Sequence, residues 1–215
     1  MARRTSDTRT DGSLLLRLRS GGNAADWDEF VELYRPFLLR LLGQIGLQES
    51  DALDVCQEVL HATSRDLQKW VDDGRNRSFR RWLSQVARHR AWKFIAAQRR
   101  AATGVGGTSA LLQLRSVSDR HAERWEQTFE REYRDHLFAW AARRVKGEFQ
   151  PHTWQAFWMT CVHQRDFREV AQELQISIGA LYVARSRVAS RLRQEIVEVL
   201  GDEWGRDPKS SGETS

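Results

Sequence analysis

The sequence predicts an all-α protein: two small helical domains joined by a flexible linker, the C-terminal one a helix-turn-helix. Three observations predict it. Apolar residues recur at helical spacing almost throughout, and no segment alternates as a strand would. Only three prolines, at positions 36, 151 and 208, interrupt the 215 residues. A segment with three glycines and no helical face, Ala101–Ser109, parts the chain into two periodic blocks. The expected division is a domain over 12–100, a linker over 101–119, a second domain over 120–200 and a disordered polar tail over 201–215.

The elements follow in order. A first helix is expected from about Ser13 to Arg19, ending at Gly21-Gly22. Asp26 is positioned to cap a second, whose Phe30, Leu33, Tyr34, Phe37, Leu38 and Leu41 recur at i, i+3, i+4, i+7, i+8 and i+11. Pro36 is a candidate bend, and Gly43 and Gly46 loosen the end. Ser50 is expected to cap a third helix with the inner face Leu53, Cys56, Leu60, Thr63, Leu67 and Trp70. Asp72-Asp73-Gly74 reads as a turn before a fourth helix, about Ser78 to Arg100. In the second block one helix spans about Arg120 to Val145, and Pro151 opens a short one carrying Trp154, Phe157, Trp158 and Cys161. Helices from about Phe167 to Leu174 and Ile178 to Leu200 follow. Nine tryptophans and nine phenylalanines compensate for the small cores, because each buries a large area.

Composition narrows the partners. The net charge of +5 favours a nucleic acid over an acidic small molecule. No run approaches roughly 18 consecutive apolar residues, so no membrane insertion is expected. The polar stretch Met1–Asp11 lacks an apolar core, so no signal peptide is expected. Cys56 and Cys161 lie inside helical apolar patterns and read as buried thiols in a reducing cytosol, which predicts a cytoplasmic location.

Charge is segregated. From Glu49 to Asp73 seven acids face only Arg65 and Lys69, whereas from Gly74 to Ser118 ten arginines and lysines meet no acid. An acidic helix beside a basic one suggests two partners, a basic protein surface and a polyanion. On the basic helix Phe79, Trp82, Leu83, Val86, Ala87 and Phe94 fall on one side, and Arg81, Gln85, Arg88, Trp92 and Arg99 on the other. Arginines bind phosphates and an aromatic ring can stack on an unpaired base. Arg75-Asn76-Arg77 adds donors just upstream. A solvated cationic face with Trp92 packed on a neighbouring element is the plainer alternative. On the acidic helix Asp51, Asp54 and Glu58 share a face with Gln57 beside them. That face reads as a docking surface for a basic helix; a solvated face stabilising the helix N-terminus and a Mg²⁺ site needing further ligands are the alternatives.

Phe167 to Val188 has the anatomy of a helix-turn-helix. Val170, Ala171 and Leu174 would face inward, Ile176 would plug the turn, and Ser177 would cap the second helix. Leu181, Val183 and Val188 are core candidates. Gly179, Ala180, Tyr182, Arg185, Ser186 and Arg187 remain for DNA. Gln175 occupies a turn position that Gly or Asn would suit better. A purely structural helical hairpin is the alternative.

Three blocks in this order, Asp54-Val-Cys-Gln-Glu-Val-Leu60, Phe79-Arg-Arg-Trp-Leu-Ser-Gln-Val-Ala-Arg-His89, and Val170-Ala-Gln-Glu-Leu174 with Ala180–Val188, resemble a bacterial RNA polymerase sigma factor. The resemblance is to the small, two-domain, extracytoplasmic-function (ECF) type of the sigma-70 family and covers roughly residues 12 to 200. It implies that Asp51, Asp54, Gln57 and Glu58 dock on core RNA polymerase. It implies that Arg75, Asn76, Arg77, Arg81, Gln85, Arg88, His89, Trp92 and Arg99 open and read the promoter −10 element. Ser177, Gly179, Ala180, Tyr182, Arg185, Ser186 and Arg187 would read the −35 duplex. Many members of the family have an anti-sigma partner. The family often has Asn where this chain has His89 and Asp where it has Lys93, which bears on −10 preference or on local packing. No catalytic residue, cofactor or metal is implied.

Two other readings compete. A stand-alone dimeric helix-turn-helix regulator accounts for residues 167–193 but not for the acidic and basic helix pair. A nucleic-acid-processing enzyme would need Asp51, Asp54 and Glu58 as metal ligands, or His152, Cys161 and His163 as a zinc cluster; that cluster falls short of four ligands at paired spacings. The chain has neither a Walker loop nor a G-x-S-x-G motif.

Overall fold

A computed structural model describes residues 14–70, 78–103 and 108–201, side chains of 102–121 excepted. Arg75, Asn76 and Arg77, the Asp72–Gly74 turn and the tail from 202 therefore lie outside the described residues. Among those described there is no strand, and the α-helices are α1 (Leu14–Arg19), α2 (Ala24–Gln44), α3 (Glu49–Asp66), α4 (Ser78–Thr103), α5 (Thr108–Val145), α6 (Pro151–Phe157), α7 (Phe167–Glu173) and α8 (Ile178–Leu200). The fold class is all-α. Two compact units emerge, one holding the described residues up to His136 and one spanning Leu137–Leu200.

In the first unit the N-terminal helices are joined by a tight reversal. α1 ends with Gly21 at φ 106°, a left-handed conformation that glycine adopts without strain, and the Gly22 N–H returns to the Arg17 carbonyl at 3.0 Å. Asn23, not Asp26, caps α2: its side chain accepts the Asp26 N–H while the Asp26 carboxylate accepts the Asn23 N–H, both at 3.0 Å. Arg17 donates to Asp26 at 2.7 Å and to Glu29 at 2.8 Å, and it holds the Asp26 carboxyl below its ordinary range. The expected stripe of α2, Phe30, Leu33, Tyr34, Phe37, Leu38 and Leu41, is buried, and Pro36 sits on the exposed side of an unbroken helix.

α3 is turned relative to expectation. Its N-cap is Gln48, not Ser50, and its buried residues are Ala52, Val55, Cys56, Val59, Ala62 and Thr63. Leu53, expected inside, is 39% exposed, and Leu60 is only half-buried. The small side chains of Ala52 and Ala62 let α3 pack against α2 and α4, which the bulkier Leu53 face would hold further off. Burial pushes the Cys56 thiol up to about 11; Cys161, in the second unit, is half-buried.

The expected linker and second-domain start differ most. Residues 101–103 finish α4, 104–107 lie outside the described residues, and α5 is already helical from Thr108. Trp125, Phe129 and Tyr133, one helical turn apart, are buried in the first unit rather than the second. Phe37 meets Phe129 edge-on at 5.1 Å and Tyr133 at 5.4 Å, the Tyr34 and Tyr133 hydroxyls lie 3.3 Å apart, and His136 Nε2 reaches the Leu33 carbonyl. An aromatic stripe on α5 thus completes the core that α2 opens.

The second unit is built on α6 and α8. Its centre is Ala156, Val170, Ala171, Leu181 and Ala184, with Met159, Phe167, Leu174 and Ile176 around it. After α6 the backbone widens into one π-turn, Trp158–Val162, where the buried Thr160 hydroxyl donates to the Ala156 carbonyl at 2.7 Å. Phe138, Trp154 and Trp158 stack at 5.5–5.8 Å beside it. Glu195 is buried, bonded to Arg144 and, at 2.9 Å, to Arg191, which also grips Glu148 at 2.7 and 2.9 Å.

Candidate nucleic-acid interface

The acidic residues of α3 divide into two groups. Asp54 and Gln57 are exposed beside the exposed Leu53. Asp51 and Glu58 lean toward α4: Gln98 donates to Asp51 at 2.9 Å, and Arg90 approaches Glu58 at 3.9 Å. The outward surface is therefore an apolar residue flanked by a carboxylate and an amide. Asp51 and Glu58 help tie the acidic helix to the basic one.

On α4 the buried stripe runs through Phe79, Leu83, Ala87 and Ala91, while Trp82, Val86 and Phe94 are only half-buried. Arg80 and Ser84 are also buried, which composition did not signal. Each meets α5. Arg80 donates to Glu130 at 2.9 Å and lies 4.6 Å over the Tyr133 ring; the Trp125 indole N–H donates to Ser84 at 2.9 Å, and Ser84 donates to Glu126 at 3.1 Å. These contacts turn Arg81, Gln85 and His89 outward, all exposed, with Arg99 exposed further along. Arg88 and Trp92 are half-buried, and the Trp92 ring lies 6.4 Å from that of Trp125. The expected single stripe is thus split: α5 covers one flank and leaves a ridge of long polar side chains. The signal for this was the i, i+4, i+8 spacing of Trp125, Phe129 and Tyr133, which marks a buried face but not its partner.

In the second unit, Asp166 caps α7 through bonds to the Arg168 and Glu169 N–H groups. The turn closes with the Ile176 N–H on the Ala171 carbonyl at 3.0 Å and Gln175 at φ 54°, a left-handed conformation where Gly or Asn would be less strained. Ser177 caps α8 by accepting the Ala180 N–H at 3.1 Å. Leu181 and Val188 are buried, but Val183, expected in the core, is 50% exposed; Ala184 takes the inward position, clustered with Ala156 of α6 and Val170 and Ala171 of α7. Gly179, Ala180, Tyr182, Arg185, Ser186 and Arg187 are all exposed. Phe167 anchors this surface, stacking on Tyr182 at 5.0 Å with the Arg185 guanidinium 5.4 Å from its ring. Among the described residues no three His, Cys, Asp or Glu side chains are grouped to hold a metal ion, so neither candidate metal set assembles.

Residues 30–101 match the Sigma-70 region 2 family. The match takes in most of α2, all of α3 and nearly all of α4, the helices that carry the acidic and cationic surfaces. The similarity is to region 2 alone and spans about a third of the 215 residues. The stretch of α5 that closes the core of the first unit lies beyond the matched residues. No curated protein matches the chain. No helix among the described residues is long and apolar enough to cross a membrane.

Proposed function

We propose that this protein is an ECF-type sigma factor that joins core RNA polymerase in the cytoplasm and directs promoter recognition, DNA melting and transcription initiation. The observation that carries the reading is the region 2 match, which falls on the helix pair whose charges are segregated. Asp54, Gln57 and Leu53 form the docking surface for a basic helix of the polymerase, and Asp51 and Glu58 hold that surface against α4. Arg75, Asn76, Arg77, Arg81, Gln85, Arg88, His89, Trp92 and Arg99 engage the −10 element. Arginines fix the backbone, and Gln85, His89 and the open part of the Trp92 ring hold unstacked bases.

The α7–α8 pair acts as the region 4-like helix-turn-helix for the −35 duplex, with Ser177, Gly179, Ala180, Tyr182, Arg185, Ser186 and Arg187 at the groove. Melting needs no catalytic residue: a surface that binds single strands better than duplex shifts the equilibrium by that difference in affinity. Reconstitution with core polymerase, followed by sequencing of transcript starts from a genomic library, tests the proposal. Discrete starts sharing two upstream elements are expected; failure to join core enzyme and to initiate anywhere would end it. Asp54→Lys should cut polymerase capture about tenfold or more without lowering the melting temperature, a ~1.4 kcal/mol loss or greater. Unchanged capture would remove α3 from the docking role.

A further inference from the structure

The first two turns of α8, from Ile178 to Ala184, are short of hydrogen-bonding groups on their outward side. Val183 points away from the buried Leu181, Ala184 and Val188 and is 50% exposed. Between Ile178 and Ala184 only Tyr182 carries a polar side-chain atom, and its ring leans on Phe167. The Ser177 hydroxyl oxygen is engaged as the helix cap. The surroundings are nevertheless cationic: from Leu174 to Gln194 there are four arginines and no acid. Phosphate contacts by such arginines attract a polyanion without distinguishing sequence. Hydrogen-bonded discrimination is left to Arg185, Ser186 and Arg187 further along, and at the first two turns discrimination falls to the apolar part of the helix.

An apolar side chain in the major groove has one base-specific target, the C5-methyl group of thymine. We infer that Val183 reads a thymine methyl in the upstream promoter duplex, so that part of the −35 preference is apolar rather than hydrogen-bonded. The inference rests on the proposed −35 role of α8. Gly179, one turn before Val183, supports it: a Cβ built there meets nothing nearer than the Ser177 hydroxyl at 3.8 Å, so the protein's own packing does not demand glycine. A bare backbone at that point lets the helix approach the groove closely.

Thymine-to-deoxyuridine replacement deletes the methyl and nothing else. Upstream duplexes recovered by start-site mapping would be substituted one thymine at a time, and binding measured with the full chain joined to core polymerase. One or two positions should weaken binding about fourfold each, the equivalent of ~0.8 kcal/mol for one buried methyl group. Val183→Ala should lose that sensitivity at the same position, whereas Arg187→Ala should weaken the thymine and uracil duplexes alike. The inference is overturned if no position responds, if Val183→Ala keeps the full response, or if the recovered element contains no thymine. A complex indifferent to the whole upstream duplex would instead overturn the −35 role of α8, and the inference with it. The deoxyuridine measurement leaves the protein untouched, so its outcome is independent of variant folding.

Discussion

α4 and α8 both present arginine-rich outward sides, yet they are held in place by opposite means. α4 is fastened by buried polar chemistry, with Arg80 on Glu130 and Ser84 between Trp125 and Glu126. The first half of α8 is seated on small apolar residues, Ala156, Val170 and Ala171, and its ion pairs lie further along, at Arg191 and Glu195. A buried polar pair fixes register, because any slip leaves a desolvated group without its partner. A contact between small side chains fixes distance instead, because it brings two backbones close. The two surfaces differ accordingly. The ridge on α4 carries long polar side chains on a rigid base, suited to holding unpaired bases. The tip of α8 is slim and apolar, suited to entering a groove.

The sharpest way to break this comparison is to remove its polar anchor. Trp125 is 1% exposed, and its ring and N–H both serve α4. Trp125→Ala should destabilise the first unit by about 3–5 kcal/mol, as large cavities do, with the loss read in denaturant unfolding. A change below ~1 kcal/mol would mean that α5 does not close the first core.

Next in size is the anchor of the second unit. Burial alone would push the Glu195 carboxyl up, but the hydrogen bonds and charges of Arg144 and Arg191 outweigh it and hold the group below its ordinary 4.5. A carboxyl whose folded pKa is depressed takes its proton more readily in the unfolded chain. Its contribution is therefore complete above about pH 4.5 and lost as pH falls through the lower folded value. Glu195→Gln should cost about 2 kcal/mol at neutral pH, less than a sealed pair because both arginines still reach water. It should also flatten the acid limb of stability. Hydrogen exchange at α6 and α8 amides reads both effects, and an unchanged acid limb would remove Glu195 as its source.

A smaller effect sharpens the α4 side of the comparison. Trp92 is half-buried against Trp125, so only part of its ring is open to a base. Trp92→Ala should weaken binding to forked promoter DNA by about 1 kcal/mol more than to duplex, the low end for base stacking. Equal losses on both would make Trp92 a packing residue alone.

What the sequence made legible, and what it did not, follows from one property of helical periodicity: it marks a buried face without naming the partner. The α2 stripe and the limits of α8 were readable, since each depends on spacing within one segment. The destination of Trp125, Phe129 and Tyr133 was not. The glycines at 104, 106 and 107 look like a boundary, and nothing local ties residue 125 to residue 84. Arg80 counted as a surface cation because its partner Glu130 is fifty residues away. On α3 two faces sharing Cys56 and Thr63 were both apolar enough to bury, and small residues decided between them. Capping was ambiguous for a similar reason: in a reciprocal box both Asn23 and Asp26 carry cap-forming side chains. Among candidate site residues, Asp54, Gln57, Arg81, Gln85 and His89 are exposed, whereas Asp51, Glu58 and Trp92 also contact neighbouring helices.

The smallest expected effect separates the demands of folding from those of binding on α8. Gly179 lies in the first turn of the helix, and a methyl group added there has room. Glycine is a poor helix former, mainly because of the backbone freedom it loses on folding, so Gly179→Ala should raise stability by up to ~1 kcal/mol. If α8 enters a DNA groove by its N-terminal end, the same methyl group stands between backbone and DNA. Affinity for the upstream duplex should then fall while the melting temperature rises. That opposition is informative because a purely structural helical hairpin would show only the gain. Unfolding curves and duplex titrations on the one variant decide it: a stabilised protein with unaltered DNA affinity would mean that the outward side of α8 meets no groove.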